Sequence, residues 1–382
     1  MRSRVLRVIG VAAIALAVWV AFSLGAALTA PGTDSTAAKT AEWARDHHLG
    51  IVVGTLEKAQ YQANPPRVGG TPDPAQLRGL AAAATPSAPP AAPGTRGAAA
   101  RPATPLPTAH PPLRPLVTPA LPGEGVFSTV VAARGRPVVQ VAHLRADSVH
   151  SSYLTGVAVL DNQVTRWELH PGYEDPGNLS RWSQPDLVPP AARSSLVATF
   201  NGGFKTNEAR GGFYENGQSA GALLPGSASL VIYRDGHADV GSWGTEVSMT
   251  PQVTAVRQNL QMLIDGGKVA PNLDQNLRTN WGLTLGGGYA VWRSGVGVNA
   301  RGDILVAMGP ALTAQSLADV LHDAGAVRAM EMDINPEWMS FMWYSPTGDP
   351  TMPQPHKLVD FRRSADRYFT PTSRDFFAVR LR

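Results

Sequence analysis

No cysteine occurs in the 382-residue chain, which excludes disulfides, thiolate metal sites and a cysteine nucleophile. Charge is scarce as well. Only 16% of residues are charged, and the formal net charge is +4 with a pI near 9.5. Much of that basic bias lies in arginines of the N-terminal tail and of a proline-rich stretch. There is no basic stripe with interleaved aromatics, so no nucleic-acid partner is expected. The nine histidines show no His-x-x-x-His spacing, which argues against zinc. Gly286-Gly287-Gly288 lacks the Gly-Lys-Ser/Thr of a phosphate loop and reads as a turn or bulge between strands. Gly217-Gln218-Ser219-Ala220-Gly221 has the spacing of a nucleophile elbow. However, Asn216-Gly217 is a turn signal, and Gly221 and Pro225 spoil the helix that an elbow needs. Ser219 is therefore expected in a loop, without a nucleophilic role.

The remaining composition divides into four parts. Arg2, Arg4 and Arg7 precede 23 uncharged residues, Val8 to Ala30. As a helix these span roughly 30 Å of hydrocarbon. Residues 1–30 read as an uncleaved membrane anchor, with a cleavable signal segment as the alternative. The leading arginines place the rest of the chain outside the cytoplasm, giving a single-pass cell-membrane protein with an extracytoplasmic C-terminal domain. Residues 31–63 read as a juxtamembrane helical stalk that begins at the cap signal Thr33-Asp34-Ser35. Of 33 prolines, 16 fall between Pro65 and Pro122. Residues 64–123 read as a Pro/Ala-rich disordered linker, reaching about 180 Å when stretched. Residues 124–382 then form one domain of roughly 260 residues, ample for a core.

Within that domain, short apolar runs alternate with turn signals. Gly156–Leu160 and Val164–Leu169 flank Asp161-Asn162, and Ser229–Tyr233 is followed by Asp235-Gly236. Met262–Ile264 is followed by Asp265-Gly266-Gly267, and Gly295–Asn299 and Ile304–Met308 flank Arg301-Gly302-Asp303. Each pattern predicts a hairpin. Thr313 to Ala324 is the clear helix, with Leu317, Val320, Leu321 and Ala324 on one face and Gly325 at its end. A shorter helix is expected over Pro190–Ser194. The fold class is α+β: a strand-dominated mixed sheet with a few packed helices, preceded by one N-terminal transmembrane helix.

Two apolar runs end in polar tips. One is Ala329-Met330-Glu331-Met332-Asp333-Ile334-Asn335-Pro336-Glu337; the other is Ala198-Thr199-Phe200-Asn201-Gly202-Gly203-Phe204-Lys205. Strand alternation puts Glu331 and Asp333 on one face and Met330 and Met332 toward the core. Buried acids need partners, and Arg293, Lys205 and Arg210 are available. Two carboxylates with a basic neighbour can split acid and base roles and so serve hydrolysis at an acetal carbon. A structural ion pair would show the same residues. Asp333, Glu331 and Glu337 with backbone oxygens would also suit a hard divalent cation near Asp333, although no cofactor is required. Gly202-Gly203 lets a ligand approach the backbone, where exposed amides hold an anionic oxygen. A tight turn is the alternative.

In order, these segments resemble the phosphodiester glycosidase family, whose members include an enzyme that removes N-acetylglucosamine from a phosphodiester. Asn201-Gly202-Gly203-Phe204 looks like its Asn-Gly-Gly-Phe strand end, and Gly212 to Gly221 like its glycine-containing loop. Met262 to Lys268 resembles its next hairpin, and Arg293-Ser294-Gly295-Val296-Gly297-Val298 its Arg-Ser/Thr strand. The Thr313 helix, Gly325-Ala326 and the run to Asp333 look like its closing helix–strand–aspartate. Two features depart from the pattern: Lys205 replaces a second aromatic, and Ile334-Asn335-Pro336-Glu337 replaces glycines and serine. Pro336 makes a stiffer loop, so a different substrate pocket is expected.

The resemblance implies an extracytoplasmic hydrolase acting on a sugar-1-phosphodiester in a carbohydrate or cell-wall glycopolymer. Asp333 would be the catalytic carboxylate, with Glu331 as helper. Arg293 and Lys205 would hold phosphate oxygens. Asn201, Gly202, Gly203, Arg210 and Asn335 would contact the rest of the substrate. A non-catalytic glycan-binding protein on the same fold is the alternative.

Overall fold

The computed structural model describes residues 2–76, 110–271, 273, 281 and 288–382. The middle of the expected linker, residues 77–109, lies outside the described residues, as do Gly286 and Gly287. The chain divides into two units, Met1–Asn64 and Pro65–Arg382.

The first unit is helical. In helix α1 (Arg2–Leu28), the stretch Arg7–Leu28 has a mean hydropathy of 2.4 and is long and apolar enough to cross a membrane. A signal sequence passes the same test. Helix α2 (Thr36–Ala44) starts at Ser35, whose hydroxyl accepts from Ala38 N as an N-cap. A π-turn, Arg45–Leu49, bends at His48 (φ 64°) into α3 (Gly50–Ala63). Trp43 stacks on His47 and donates to Ser23 Oγ at 2.9 Å, tying α2 to α1.

The second unit is built of strands. They begin with β1 (Ser128–Ala133), β2 (Arg136–Leu144), β3 (Thr155–Leu160) and β4 (Thr165–His170). Then come β5 (Leu196–Asn201), β6 (Phe213–Glu215), β7 (Gln218–Ala220), β8 (Ala228–Tyr233) and β9 (Ala238–Ser242). Next are β10 (Val253–Gln258), β11 (Met262–Asp265), β12 (Lys268–Val269), β13 (Val291–Asn299) and β14 (Ile304–Leu312). Helix α4 (Ala314–Asp323) precedes β15 (Ala326–Glu331), β16 (Phe341–Ser345), β17 (Gln354–Lys357) and β18 (Phe376–Leu381).

The strand-dominated α+β class holds, with the strands divided among three sheets. An eight-stranded sheet runs β1-β2-β3-β14-β13-β15-β11-β12. Two five-stranded sheets run β7-β6-β10-β8-β9 and β17-β16-β5-β18-β4. Every strand pair described is antiparallel.

The apolar runs are unbroken because the large sheet is covered on both faces. Ile304, Val306 and Met308 of β14 join one core with residues of both smaller sheets. Leu305 and Ala307, pointing the other way, join a second core with Leu317, Val320 and Leu321 of α4. Thr313 and Ser316 close a capping box at the start of α4, and Gly325 (φ 89°) follows its end. Gly295 lets α4 close on β13, since a Cβ there would sit 3.0 Å from Leu321 Cδ1.

The hairpins expected around residues 235, 266 and 302 are present as β8–β9, β11–β12 and β13–β14. Asp161-Asn162 is a correction. It carries the chain from β3 in the large sheet to β4 in a small one, so no hairpin forms. Asn162 holds the crossing by donating to the carbonyls of Ala238 (2.7 Å) and Gly302 (3.0 Å). Pro190–Ser195 is a 3-10 turn.

Both described ends of the proline-rich stretch lie against this body. Gly69 N donates to Val149 O at 2.7 Å, and Ser151 Oγ to Gly70 O at 2.9 Å. Further on, Leu113 is buried and its N–H reaches Gly125 O, while Arg145 donates to the carbonyls of Val117 and Pro119. Arg145 also pairs with buried Glu124 at 2.8 Å. Proline-rich backbone retains its carbonyls, and here a buried guanidinium collects them.

Leu321→Ala empties a fully buried position between α4 and β13. The expected loss is about 2–5 kcal/mol of unfolding free energy, read from the urea midpoint at unchanged m-value.

Candidate functional site

The ends of β5, β13 and β15 meet, and two side-chain amides join them. Asn201, last in β5, donates to Ser294 Oγ of β13 at 3.1 Å and accepts from Ser340 N at 3.1 Å. Ser294 Oγ in turn accepts from Asp333 N (3.2 Å) and donates to Asp333 O (3.3 Å). Asn259, just beyond β10, donates to the carbonyls of Glu331 and Met332, each at 2.8 Å. Its Oδ1 accepts from Phe204 N at 3.1 Å. Residues 201–204 and 331–333 thus share one hydrogen-bonded unit, although more than a hundred residues separate them in the chain.

Asp333 lies two residues past β15 and is 2% exposed. Its Oδ1 accepts from Asn335 N at 2.8 Å, closing a local turn. Asn335 is half-buried and holds Glu337 N through its own Oδ1 at 3.0 Å. Gly202 and Gly203 are buried. A Cβ at Gly202 would overlap the Asp375 carboxylate, and one at Gly203 would press on Asn259. Lys205 is buried at the start of the next turn, where its carbonyl accepts from Glu208 N and Ala209 N at 2.8 Å.

Three expectations change. Arg293 and Glu331 form a closed ion pair in which both side chains are fully buried, so neither reaches a solute. Arg293 also donates to Leu312 O (2.9 Å) and Tyr289 O (3.2 Å), which leaves it no phosphate-holding geometry. Asn201 commits its amide to Gly202 O, Ser294 and Ser340, so it braces strands and does not face a ligand. Arg210 is exposed, in a left-handed turn (φ 50°), outside the network. Burial pushes the Glu331 carboxyl up against the pull of Arg293. Its Oε2 has no hydrogen-bond partner among the described residues. No group of three or more histidine, aspartate or glutamate side chains among the described residues could hold a metal ion.

The structure adds residues that the sequence reading passed over. Arg257 and Asp375 pair at 2.8 Å, both fully buried, and Arg257 also donates to Phe204 O. Gly202 N donates to Asp375 O at 2.9 Å, so this pair floors the Gly202–Phe204 turn. Burial pushes the Asp375 carboxyl up; Arg257 opposes that shift and Asp175 adds to it. Asp175 itself accepts from Thr206 N and Oγ1. Arg374 donates to Gly203 O at 3.3 Å. A signal for two of these was present. Val256-Arg257-Gln258-Asn259 is an apolar run ending in a polar tip, and Arg374-Asp375 opens the apolar run at Phe376.

Ser219 lies exposed on the short edge strand β7, paired with β6 and followed by no helix. That is not the geometry of a nucleophile elbow.

No family model matches the sequence, and no curated protein sequence does. Among solved structures, the chain is similar to the zebrafish N-acetylglucosamine-1-phosphodiester alpha-N-acetylglucosaminidase catalytic domain auto-inhibited by its pro-peptide. The match has 15% identity and a TM-score of 0.42, and covers 67% of this chain and 87% of that one. A hypothetical protein from Synechocystis matches at 11% identity and TM-score 0.36, over 65% of this chain and 63% of that one. A Burkholderia pseudomallei protein matches at 12% and 0.35, over 59% of this chain and 74% of that one. These likenesses concern the fold.

Removing Arg293 strands a buried carboxylate. Arg293→Met is expected to cost about 3–5 kcal/mol at neutral pH. A carboxyl whose folded pKa is raised contributes its full stability below its unfolded value and loses it as pH rises through the folded value. The variant's deficit should therefore shrink as pH falls toward the ordinary 4.5 of glutamate, in unfolding curves measured across that range. Gly202→Ala should displace Asp375 from Arg257 and lower Tm, since nothing in that contact can yield without breaking a buried ion pair.

Proposed function

We propose that the strand-built unit is a glycosidase that hydrolyses a sugar-1-phosphodiester, held at the outer face of a membrane by α1 and acting on an envelope glycopolymer. The observation that carries this reading is the joining of the Asp333 turn to the Gly202-Gly203 backbone through Asn201, Ser294 and Asn259. A carboxylate and a glycine-lined backbone held in fixed relation suit a cationic sugar centre beside an anionic leaving group. The resemblance of the ordered segments to phosphodiester glycosidases points the same way.

In this reading the bond from the sugar's anomeric carbon to the phosphate oxygen breaks, and the phosphate leaves with the electron pair. The Asp333 carboxylate stabilises the positive anomeric carbon. Water adds its oxygen there, and its proton passes to Asp333 and then to solvent. The products are the free sugar and a phosphomonoester. A phosphodiester is already a fair leaving group, so a strong general acid matters less than charge stabilisation. That fits a site in which Glu331 is locked to Arg293 and only Asp333 serves the centre. Lys205, next to the glycines, supplies positive charge for the phosphate, and the half-buried Asn335 flanks the entry.

A second reading, a non-catalytic glycan binder, is favoured by the near-complete burial of Asp333. Detergent-solubilised full chain assayed on a chromogenic sugar-1-phosphodiester separates the two. The glycosidase reading expects turnover that falls about 100-fold or more in Asp333→Asn. Equal turnover in the variant removes Asp333 from the mechanism. Glycan binding by calorimetry without any turnover supports the binder.

A further inference from the structure

The helical unit is built with polar groups inward and apolar groups outward. Glu42 is 3% exposed, and Arg45 donates to it at 2.9 Å and also to Glu57 of α3. His47 bonds the Trp43 carbonyl through Nδ1 at 2.7 Å and Ser23 Oγ through Nε2 at 3.2 Å. Outside these contacts, Ile51 is 85% exposed and Leu56 65%, and Leu49, Val52, Trp19 and Phe22 are exposed as well. Leu49, Val52 and Leu56 recur at steps of three and four residues, so they share one face of the chain entering α3. In water this arrangement leaves apolar surface wet, whereas against hydrocarbon it is the favourable one.

Contacts between the helices fix the depth of this patch. Lys39 Nζ donates to Ala30 O at 2.6 Å and to Leu28 O at 3.3 Å. Trp43 donates to Ser23, and the His47 ring centroid lies 5.1 Å from that of Trp19. From Lys39 to His47 the partners thus step backward along α1, so α2 runs back alongside the end of that helix. The π-turn comes level with Trp19 and Ser23, about 7–13 Å before the end of α1. A span of roughly 20 residues from Val8 uses α1 almost to that end. The turn and the start of α3 are then carried below the headgroups, while Lys39 stays level with them. Asp46 and His48, exposed on the same turn, limit the descent to the boundary between headgroups and acyl chains.

We propose that the Arg45–Leu49 turn and the first half of α3 form a second membrane contact. Leu49, Ile51, Val52 and Leu56 enter the acyl region of the leaflet on the C-terminal side of α1. The proposal rests on α1 spanning the bilayer and is independent of the glycosidase reading. The contacts among Glu42, Arg45 and Glu57 satisfy charges that would otherwise oppose insertion. Residues 45–56, expected in a stalk standing off the membrane, lie in its surface instead.

The chain has no cysteine, so each cysteine substitution gives one labelling site. Ile51→Cys, Leu56→Cys, Val11→Cys and Gln62→Cys, all at exposed positions, are spin-labelled in the full chain and reconstituted into phosphatidylcholine vesicles. Collision with oxygen, which partitions into lipid, is compared with collision with a water-soluble nickel complex. The oxygen-to-nickel ratio at 51 and 56 should exceed that at Gln62 several-fold and lie below that at Val11, deep in α1. A ratio at 51 and 56 equal to that at 62 overturns the insertion. If the label at 11 is then still in lipid, α1 remains the anchor and only the second contact is lost. Low collision rates with both reagents at 51, together with dipolar broadening between labels, place a second copy of the chain on the patch and also overturn the proposal.

Discussion

A single amide, that of Asn259, touches all three sheets. It follows β10 of one small sheet, donates twice to the end of β15 in the large sheet, and accepts from the turn after β5 in the other small sheet. Apolar packing makes the sheets stack, but it tolerates sliding and does not by itself fix where strand ends lie. Directional bonds in a low-dielectric interior do, because each has a narrow range of distance and angle and is costly to leave unmade. Asn201 repeats the device between β5 and β13. The relation of Asp333 to Gly202 and Gly203 therefore depends on two carboxamides more than on the large cores around them.

The same interior concentrates charge that the chain otherwise uses sparingly. Arg293–Glu331 locks β13 to β15, Arg257–Asp375 floors the glycine turn, and Arg145–Glu124 clasps the segment before β1. Each costs desolvation that its geometry must offset, and each places a polar group where an apolar residue would leave the backbone unanchored.

Strands, three of the hairpins and helix α4 with its cap were legible in the sequence, because turn chemistry and helical spacing are local properties. Asp161-Asn162 was misread for the same reason. The dipeptide specifies a reversal, but which sheet receives Val164–Leu169 depends on β18, more than two hundred residues on. The meeting of Asn201 and Asp333 was legible as two apolar runs with polar tips. Their roles were not, since an amide facing a ligand and an amide bracing a strand share one sequence. Arg293 and Glu331 likewise read as available charges until register placed Gly295 opposite Glu331 and closed the pair. Arg257, Asn259 and Asp375 carried the same apolar-then-polar signature and lay beyond the segments that first drew notice.

Among the described residues before β1, the chain touches the strand-built body at residues 67–70 and again from His110 to Gly125. A pull transmitted from upstream of Arg67 would load the first contact, which rests on a few solvent-side hydrogen bonds. The Arg145 clasp and the buried Leu113 form a second and stronger attachment that would carry the load ahead of the strands. The body would thus be sheltered from mechanical strain by a sacrificial first fastening and a stronger second one.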